Sequence, residues 1–278
     1  MNKQTENGSH LVIAIVIIVI VGILVALGMA FFNVNQKKSD NATSTTTTDI
    51  NAPATAVKNP NEPDLKIKDI GINLGYYDSA TNRAGDVVFT KTGISQYGNL
   101  IFTNYGEISK ANSARPTDTL NPQPTFIVPL GTKIRSLVDG VVVRIEKLYS
   151  DDYTVMVASN NESNWIYETE HIINPTVKVG DAVKAGQVIA EASTHDSQYH
   201  PGFGLYEIGI LHGGNPPEHL CPFNYLDDLI KEDVFAKLRA FYASWETYMG
   251  DSSLYDESKM AVPGCYTLDP VSDNNNGS

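Results

Sequence analysis

Histidine is the residue type in this sequence with the widest range of chemistry, as a metal ligand or as a proton donor and acceptor. The chain has 6 histidines, and two of them, His195 and His200, lie five residues apart in a polar segment over 193–201. Such a spacing occurs in some metal-binding loops, but a catalytic zinc centre needs three protein ligands drawn from His, Cys or carboxylate. No cysteine and no clear third ligand lie beside this pair, so we expect two surface histidines and predict no metal site there.

Sequence motifs for nucleophilic catalysis and for nucleotide binding are absent. The sequence contains no G-x-S-x-G, no P-loop and no G-x-G-x-x-G. Its charged residues, 20 Lys+Arg against 32 Asp+Glu, give a formal net charge of −12. Because binding to phosphate groups needs clustered basic side chains, this balance argues against nucleic acid as a partner.

The two cysteines, Cys221 and Cys265, are predicted to form one disulfide. Their number is even, they flank the helical segment described below, and the compartment that the N-terminal sequence suggests is oxidising. Two free buried thiols are the alternative. A zinc site is less favoured, because two thiolates need two more ligands and only His219 is near in sequence.

The N-terminal part of the chain is predicted to lie in and beside a membrane. Leu11–Phe32 holds 22 residues without a charge, and such a helix spans the roughly 30 Å of a bilayer core. A cleaved signal peptide is the alternative, but its apolar region usually stops at about 15 residues. Residues 39–62 are rich in Thr, Asn, Ala and Pro, which is typical of a flexible tether. We therefore expect a single-pass membrane protein with its C-terminal domain outside the cytoplasm.

The middle of the chain carries a strand pattern. Short β-type runs bounded by Gly, Asn and Pro fill much of residues 65–212, and three Val-rich runs lie at 133–138, 140–145 and 153–158. Asp139-Gly140, between two of these runs, predicts a hairpin. Short strands at this spacing are typical of an all-β sandwich or barrel.

The C-terminal segment is predicted to be helical. Apolar residues from Val234 to Met249 recur at helical spacing, and Gly250 follows as a stop signal. A shorter helical run precedes them at 224–231. An aromatic stripe at this spacing is typical of core packing, so we predict a helix that lies on the sheet. The predicted divisions are an N-terminal tail (1–10), a transmembrane helix (11–32), a Thr/Asn/Pro-rich tether (33–64), a strand-rich extension (65–120), a β domain (121–212) and a helical C-terminal segment (213–278).

Several blocks of the β region follow the order of one known family. Residues 129–142 contain P-L-G-T-K-I and D-G-V-V, residues 177–189 read V-K-V-G-D-A-V-K-A-G-Q-V-I, and residues 204–208 read G-L-Y-E-I. Together these blocks resemble the M23 (lysostaphin/LytM-like) peptidase domain over roughly residues 121–211. The resemblance implies a mainly β fold, an M23-like antiparallel β-sandwich similar to barrel-sandwich hybrid domains.

The resemblance is incomplete at the zinc ligands. M23 peptidases bind zinc through the His and Asp of H-x-x-x-D and the second His of H-x-H. Those three positions fall on Asn121, Thr125 and Leu205, and Phe203 replaces the first His of H-x-H. Phe and Leu cannot coordinate a metal, and Asn and Thr offer only weak neutral oxygens. The comparison with the family therefore predicts no catalytic residue, no metal and no cofactor.

Three residues are candidates for a cleft at the position of the family's site. His171 matches the histidine of the family's Y-x-H-L motif, and we interpret it as a cleft or hydrogen-bonding residue. Tyr206 and Glu207 lie in the final-strand block, where the family also carries a Glu. The role of Glu207 is either structural or functional.

The favoured function is that of a membrane-anchored cell-envelope protein with a non-catalytic M23-like domain, which serves as a binding or scaffolding module at the cell wall. Besides the membrane, the expected partner is peptidoglycan or another envelope protein. One alternative is a divergent zinc metallopeptidase that acts on peptidoglycan through other ligands. Another is a lipoyl/biotinyl-like hybrid adaptor domain of an export system, although the Glu-Thr-Glu-His sequence ending at His171 has His where a lipoyl domain has its modified Lys.

Overall fold

The computed structural model describes residues 62–92, 98–111, 116–195, 197 and 200–272. The chain divides into one unit over Met1–Val57 and a second over Lys58–Ser278, to which all of these residues belong. The predicted transmembrane helix and nearly all of the tether lie outside the described residues. Within the described ranges, no helix is both long enough and apolar enough to cross a membrane.

The described residues fold mainly into β-strands, with one α-helix near the C-terminus. The strands are β1 (Arg83–Ala84), β2 (Val87–Val88), β3 (Phe102–Thr103), β4 (Ile108–Ser109), β5 (Thr119–Leu120), β6 (Thr125–Pro129), β7 (Lys133–Arg135), β8 (Gly140–Lys147), β9 (Tyr153–Ala158), β10 (Trp165–Ile173), β11 (Ala182–Val183), β12 (Val188–Ala192), β13 (Phe203–His212), β14 (Glu218–Leu220) and β15 (Val271–Ser272). The helix, α1, covers Asp228–Met249, and short 3-10 helices lie at Pro222–Tyr225 and Glu257–Lys259.

One large sheet carries most of these strands. Seven of them follow the order β11-β8-β9-β10-β13-β14-β15. β12 joins β10 to β7, and β6 joins β13 to β3, while β1-β2 and β4-β5 form two small separate ladders. Every pairing within the large sheet is antiparallel among the described strands. The prediction of a mainly β, antiparallel fold with a C-terminal helix is confirmed.

The centre of the large sheet is β10, a strand that the sequence patterns did not reveal. β10 pairs with β9 on one side and with β13 on the other. Its sequence, WIYETEHII, places Glu168 near the middle, where the side chain is buried. A buried carboxyl interrupts the apolar alternation on which strand prediction depends.

The hairpin predicted at Asp139-Gly140 is wrong. β7 pairs with β12, whereas β8 pairs with β9 and β11. Gly140 is instead the first residue of β8 and lies very close to β9. A Cβ at this position would be only 2.5 Å from the carbonyl oxygen of Ala158. The glycine is therefore required by a close approach of two strands and not by a reversal of the chain.

α1 is one continuous helix, where the sequence predicted a short helical run followed by a longer helix. It begins after Asp227, whose carboxylate accepts a hydrogen bond from the Leu229 amide at 3.0 Å. It ends at Gly250, which has a left-handed φ of 76°. The residues buried along the helix are Val234, Phe235, Leu238, Phe241, Tyr242 and Trp245. The predicted stripe is therefore confirmed as core packing.

A disulfide joins the two ends of the helical segment. Cys221 and Cys265 are bonded, with their Cα atoms 6.1 Å apart, and both are buried. Beside the second cysteine, the Tyr105 amide donates to the Gly264 carbonyl at 3.0 Å, and the Tyr266 amide donates to the Tyr105 carbonyl at 2.8 Å. The predicted disulfide is confirmed, and the segment after α1 is fastened to the strand-rich region.

Candidate functional site

Polar side chains form a row across three neighbouring strands. The register pairs Glu170 of β10 with Glu207 of β13, and Glu207 with Thr125 of β6. Directly paired residues of adjacent strands have their side chains on the same face, so these three lie side by side. The Thr125 hydroxyl donates to Glu207 Oε1 at 3.0 Å. Leu205, two residues before Glu207, lies on the same face.

His171 stands at the end of this row, at an irregularity in β10. The register with β9 shifts between Thr169 and Ile172, and His171 adopts a left-handed φ of 56°. A positive φ is uncommon outside glycine and persists only where the surroundings hold it. The imidazole Nδ1 is hydrogen-bonded to Asp152 Oδ2 at 3.0 Å, and Nε2 lies 3.8 Å from Glu207 Oε2.

Asp152, in the turn between β8 and β9, is held by three donors. Besides His171, the Ser193 hydroxyl donates to Oδ2 at 2.5 Å and the Ser150 hydroxyl donates to Oδ1. Burial alone would raise the pKa of the Asp152 carboxyl, but these three hydrogen bonds outweigh burial and hold the pKa below its usual value. Asp152 is therefore an anion at neutral pH.

The charge of His171 follows from the same contacts. Burial opposes protonation of the imidazole, whereas the hydrogen bond to Asp152 and the negative charges of Glu207, Asp152 and Glu170 favour it. The second effect is larger, and the pKa of His171 rises to about 9. In the protein alone, His171 is thus an imidazolium between two carboxylates at neutral pH.

His195 completes a group that we call the His171 cluster: His171, Asp152, His195, Ser150 and Ser193. The His195 ring stacks on that of His171, with centroids 3.9 Å apart and planes 9° apart. The His195 amide donates to the Ser193 hydroxyl at 2.9 Å, which ties the loop after β12 to Asp152. The ligand atoms of Asp152, His171 and His195 all lie within 4.8 Å of one another, a grouping that could hold a metal ion.

An exposed aromatic ring borders the His171 cluster. Tyr149 is 87% exposed, and its ring meets the His195 ring edge-on with centroids 6.1 Å apart. Tyrosine combines a large apolar surface with a hydroxyl that can form hydrogen bonds, and it is enriched where proteins bind partners. Tyr149 therefore gives the cluster a surface on which a ligand could pack.

The positions that the sequence resemblance assigns to the zinc ligands of M23 peptidases are occupied by side chains with other roles. Asn121 Nδ2 donates to the Thr103 hydroxyl at 3.3 Å and to the Asn104 carbonyl at 3.1 Å. Leu205 is only 4% exposed. The Thr125 hydroxyl is hydrogen-bonded to Glu207, as described above. None of the three positions presents an imidazole, thiolate or carboxylate, so a zinc ion does not fit at Asn121, Thr125 and Leu205.

Tyr206 is not a cleft residue, contrary to expectation. Neighbouring residues of a strand point to opposite faces, so Tyr206 lies on the other face of β13 from Glu207. It is completely buried, and its hydroxyl donates to the Ile70 carbonyl at 3.4 Å. Burial raises the pKa of this phenol well above its usual value. Of the three predicted cleft residues, the structure brings together only His171 and Glu207.

The expectation that His195 and His200 are both surface side chains is wrong for His200. His200 is completely buried, and its carbonyl accepts a hydrogen bond from the Phe203 amide at 2.8 Å. His195 is half-buried against His171. The polar composition of this loop suggested exposure, but the loop packs its histidines against the domain.

Sequence reasoning also missed Asp152 and the buried carboxyl of Glu168. Glu168 accepts hydrogen bonds from Gln123 Nε2 at 3.1 Å and from the Thr154 hydroxyl at 2.9 Å. Burial, and then the charge of Glu170, raise the pKa of Glu168 well above its usual value. The sequence did contain a signal, the Glu-x-Glu-His run between apolar residues. Carboxylates are rarely buried without a partner, so such a run within a strand indicates buried polar contacts.

Comparisons with known proteins bear on the β domain. The sequence model of peptidase family M23 matches residues 124–210, and no curated protein sequence matches the chain. Among solved structures, the chain is similar to the catalytic domain of the prophage-encoded M23 protein EnpA from Enterococcus faecalis, with 21% identity, 43% of this chain and 85% of that chain covered, and a TM-score of 0.34. It is also similar to the catalytic domain of lysostaphin from Staphylococcus simulans, with 18% identity, 47% and 95% covered, and a TM-score of 0.36. A third similar structure is a complex of SpoIIIAH and SpoIIQ, with 16% identity, 58% and 97% covered, and a TM-score of 0.35.

Proposed function

Because residues 124–210 form an M23-like domain, we propose that this chain is a membrane-anchored cell-envelope protein whose M23-like domain binds its target without cleaving it. The observation that carries the proposal is the replacement of the zinc ligands. Asn121, Thr125 and Leu205 stand at those positions, and contacts within the protein engage them. Without an ion there, the domain has no Lewis acid in the family's position to activate a water molecule.

Leu205 supports this proposal most directly. Its side chain is apolar and buried, and burial of a leucine stabilises a fold by about 1.5–3 kcal/mol. Thr125 adds a hydrogen bond that orients Glu207. Both positions therefore stabilise the sheet instead of holding an ion.

The proposed location rests on the N-terminal sequence. Leu11–Phe32 would anchor the chain in the membrane, and a tether of about 30 residues would have a root-mean-square span of roughly 30 Å. The domain would then work within a short distance of the membrane, in the layer of the cell wall. The Cys221–Cys265 disulfide supports a site outside the cytoplasm, because disulfides persist in oxidising compartments.

Peptidoglycan is the proposed target. The row of Glu170 and Glu207 offers carboxylates to the amino groups of stem peptides, and Tyr149 offers an exposed ring against which a sugar can pack. Both features lie at or beside the His171 cluster. Another protein of the envelope is the alternative occupant of this surface.

The test is co-sedimentation of the full-length protein, in detergent, with purified peptidoglycan sacculi. We expect the protein to sediment with the sacculi and to release no soluble muropeptides. Tyr149→Ala should weaken binding, whereas Tyr76→Ala, at another exposed tyrosine (59% exposed), should not. A wild-type protein that stays in the supernatant would contradict peptidoglycan binding, and metal-dependent release of muropeptides would contradict the non-catalytic role.

A divergent zinc metallopeptidase is the second candidate function. One observation favours it, namely the grouping of Asp152, His171 and His195. The release of muropeptides in the same experiment separates this candidate from the first. Nothing in the described part of the chain favours the lipoyl/biotinyl-like alternative.

A further inference from the structure

Three potential metal ligands meet in the His171 cluster, away from the positions of the family's zinc ligands. Asp152 comes from the turn between β8 and β9, His171 from β10, and His195 from the loop after β12. Their ligand atoms all lie within 4.8 Å of one another. We infer that these three side chains bind a first-row divalent transition metal ion, with Zn²⁺ as the expected ion.

The donor set suits zinc better than the common alkaline-earth ions. Two imidazoles and one carboxylate, with a fourth position open to water or to a ligand, form a usual arrangement for Zn²⁺ in proteins. Ca²⁺ and Mg²⁺ prefer sites made of oxygen atoms. The two histidines therefore select for a transition metal.

The spacing of His171 and Asp152 is close to what one ion requires. With bonds about 2.0–2.1 Å long, two ligand atoms of a tetrahedral zinc ion lie about 3.3 Å apart. His171 Nδ1 and Asp152 Oδ2 are 3.0 Å apart, so an ion that replaces their shared proton needs little movement of either residue. His195 must turn its ring out of the stack with His171. This side chain is half-buried and lies in the loop after β12.

Surrounding groups already orient the ligands. The hydroxyls of Ser150 and Ser193 donate to the Asp152 carboxylate. If the ion takes Nδ1 of His171, Nε2 keeps its proton, and Glu207 Oε2 lies 3.8 Å from that nitrogen. A histidine between a metal and a carboxylate is the arrangement that protein zinc sites commonly use to fix the ring.

The backbone of His171 is a further, independent feature of the site. Its left-handed φ of 56° lies in a region that non-glycine residues rarely adopt, and such conformations concentrate at functional sites. At the irregularity in β10, this conformation presents the imidazole to Asp152 and His195. The inference does not depend on the proposed binding role, because an ion with an open position can hold a donor from a target without hydrolysing it.

The test measures the zinc bound by the full-length protein in detergent. Bound metal is removed with a chelator, and the protein is dialysed against Zn²⁺ and then against metal-free buffer. Its zinc content is measured by inductively coupled plasma mass spectrometry. Wild type should retain about one Zn²⁺ per chain, and Co²⁺-loaded protein should show visible absorption typical of nitrogen and oxygen ligands. His195→Ala should lose this binding, and Ser193→Ala should weaken it by about 10–100-fold.

His212→Ala is the matched control. His212 is also half-buried, but it stacks on Trp165, at the opposite end of β10 from His171, and its removal should leave zinc binding unchanged. Circular dichroism shows whether each variant is folded. Absence of zinc from wild type, equal zinc binding by His195→Ala, or loss of zinc from His212→Ala would each overturn the site. Zinc binding without sedimentation on sacculi would count against the proposed function alone.

Discussion

Removal of the Cys221–Cys265 disulfide is expected to lower the free energy of unfolding by about 4 kcal/mol. The bond joins residues with a sequence separation of 44, and the chain-entropy model assigns this magnitude to closing such a loop in the unfolded chain. The loop contains all of α1, including the completely buried Trp245. Without the bond, the unfolded chain has more conformational freedom to lose before the helix docks. Since domains are typically stable by about 5–15 kcal/mol, the loss is a large fraction of the total.

Thermal and urea unfolding of wild type and of a Cys221→Ala, Cys265→Ala double variant measure this loss. For a unit of this size, about 4 kcal/mol corresponds to a fall of about 8–16 °C in Tm. Alanine is preferred to serine because both positions are buried and a hydroxyl there would need a partner. Reductant should lower the Tm of wild type and leave the double variant unchanged, which controls for other effects of the reductant.

Hydrogen exchange locates the weakened region. The amides of α1 and of residues 250–272 are expected to lose protection before those of β9, β10 and β13, because the bond constrains the C-terminal segment and not the centre of the sheet. A loss of less than about 1 kcal/mol would refute the entropic reasoning. Simultaneous loss of protection in helix and sheet would show instead that α1 unfolds together with the sheet as one cooperative unit.

Three further outcomes are expected. Because the raised pKa of Glu168 means that the folded state holds this proton more tightly than the unfolded state, stability from this group falls as pH rises. In urea unfolding, Glu168→Gln should exceed wild type in stability near pH 8 and lose that advantage near pH 4; an advantage equal at both pH values would contradict this. Phe241→Ala removes a completely buried ring that lies edge-on to Phe89, and should cost about 3–5 kcal/mol in the same assay. Protease added to cells with a permeabilised outer layer should release a soluble C-terminal fragment by cleavage within 33–64, and full protection would reverse the proposed orientation.

Sequence patterns predicted those elements that depend on residues close together in the chain. The apolar spacing along α1 and the stop at Gly250 follow from helix geometry alone. The Val-rich run at 153–158 coincides with β9, because β-branched residues favour a strand. The disulfide followed from a count of two cysteines and from their positions on either side of the helix.

The His171 cluster could not be predicted in the same way, because its members share no sequence spacing. Asp152, His171 and His195 come from separate segments, and only the pairing of β9, β10 and β12 brings them together. The prediction that Tyr206 belongs to the cleft was wrong for another reason. The resemblance placed residues 204–208 in the final strand, but it did not show which side chains face the row of polar residues. Side chains alternate along a strand, so Glu207 faces the row and Tyr206 faces the opposite side of the sheet.

The proposed replacement of the zinc ligands can be tested by introducing the family's ligand residues at the three assigned positions. The register places Thr125 opposite Glu207, so Leu205 lies diagonal to Thr125 on the same face, at a distance that longer side chains can bridge. A variant that combines Asn121→His, Thr125→Asp and Leu205→His is expected to bind about one Zn²⁺ per chain. It is made in a His195→Ala background, so that the His171 cluster does not contribute to the zinc content.

Without metal, this combined variant should be less stable than its His195→Ala parent. An imidazole buried at position 205 without a partner costs about 1–3 kcal/mol, and a carboxylate at position 125 would repel Glu207 beside it. Zinc should raise the Tm of the combined variant and not that of the parent, because the ion binds the folded state and supplies the missing partner. If the combined variant folds and takes up no zinc, the backbone at these positions departs from the geometry that a tetrahedral ion needs. The proposed non-catalytic role would then follow from the shape of the sheet as well as from the identity of its side chains.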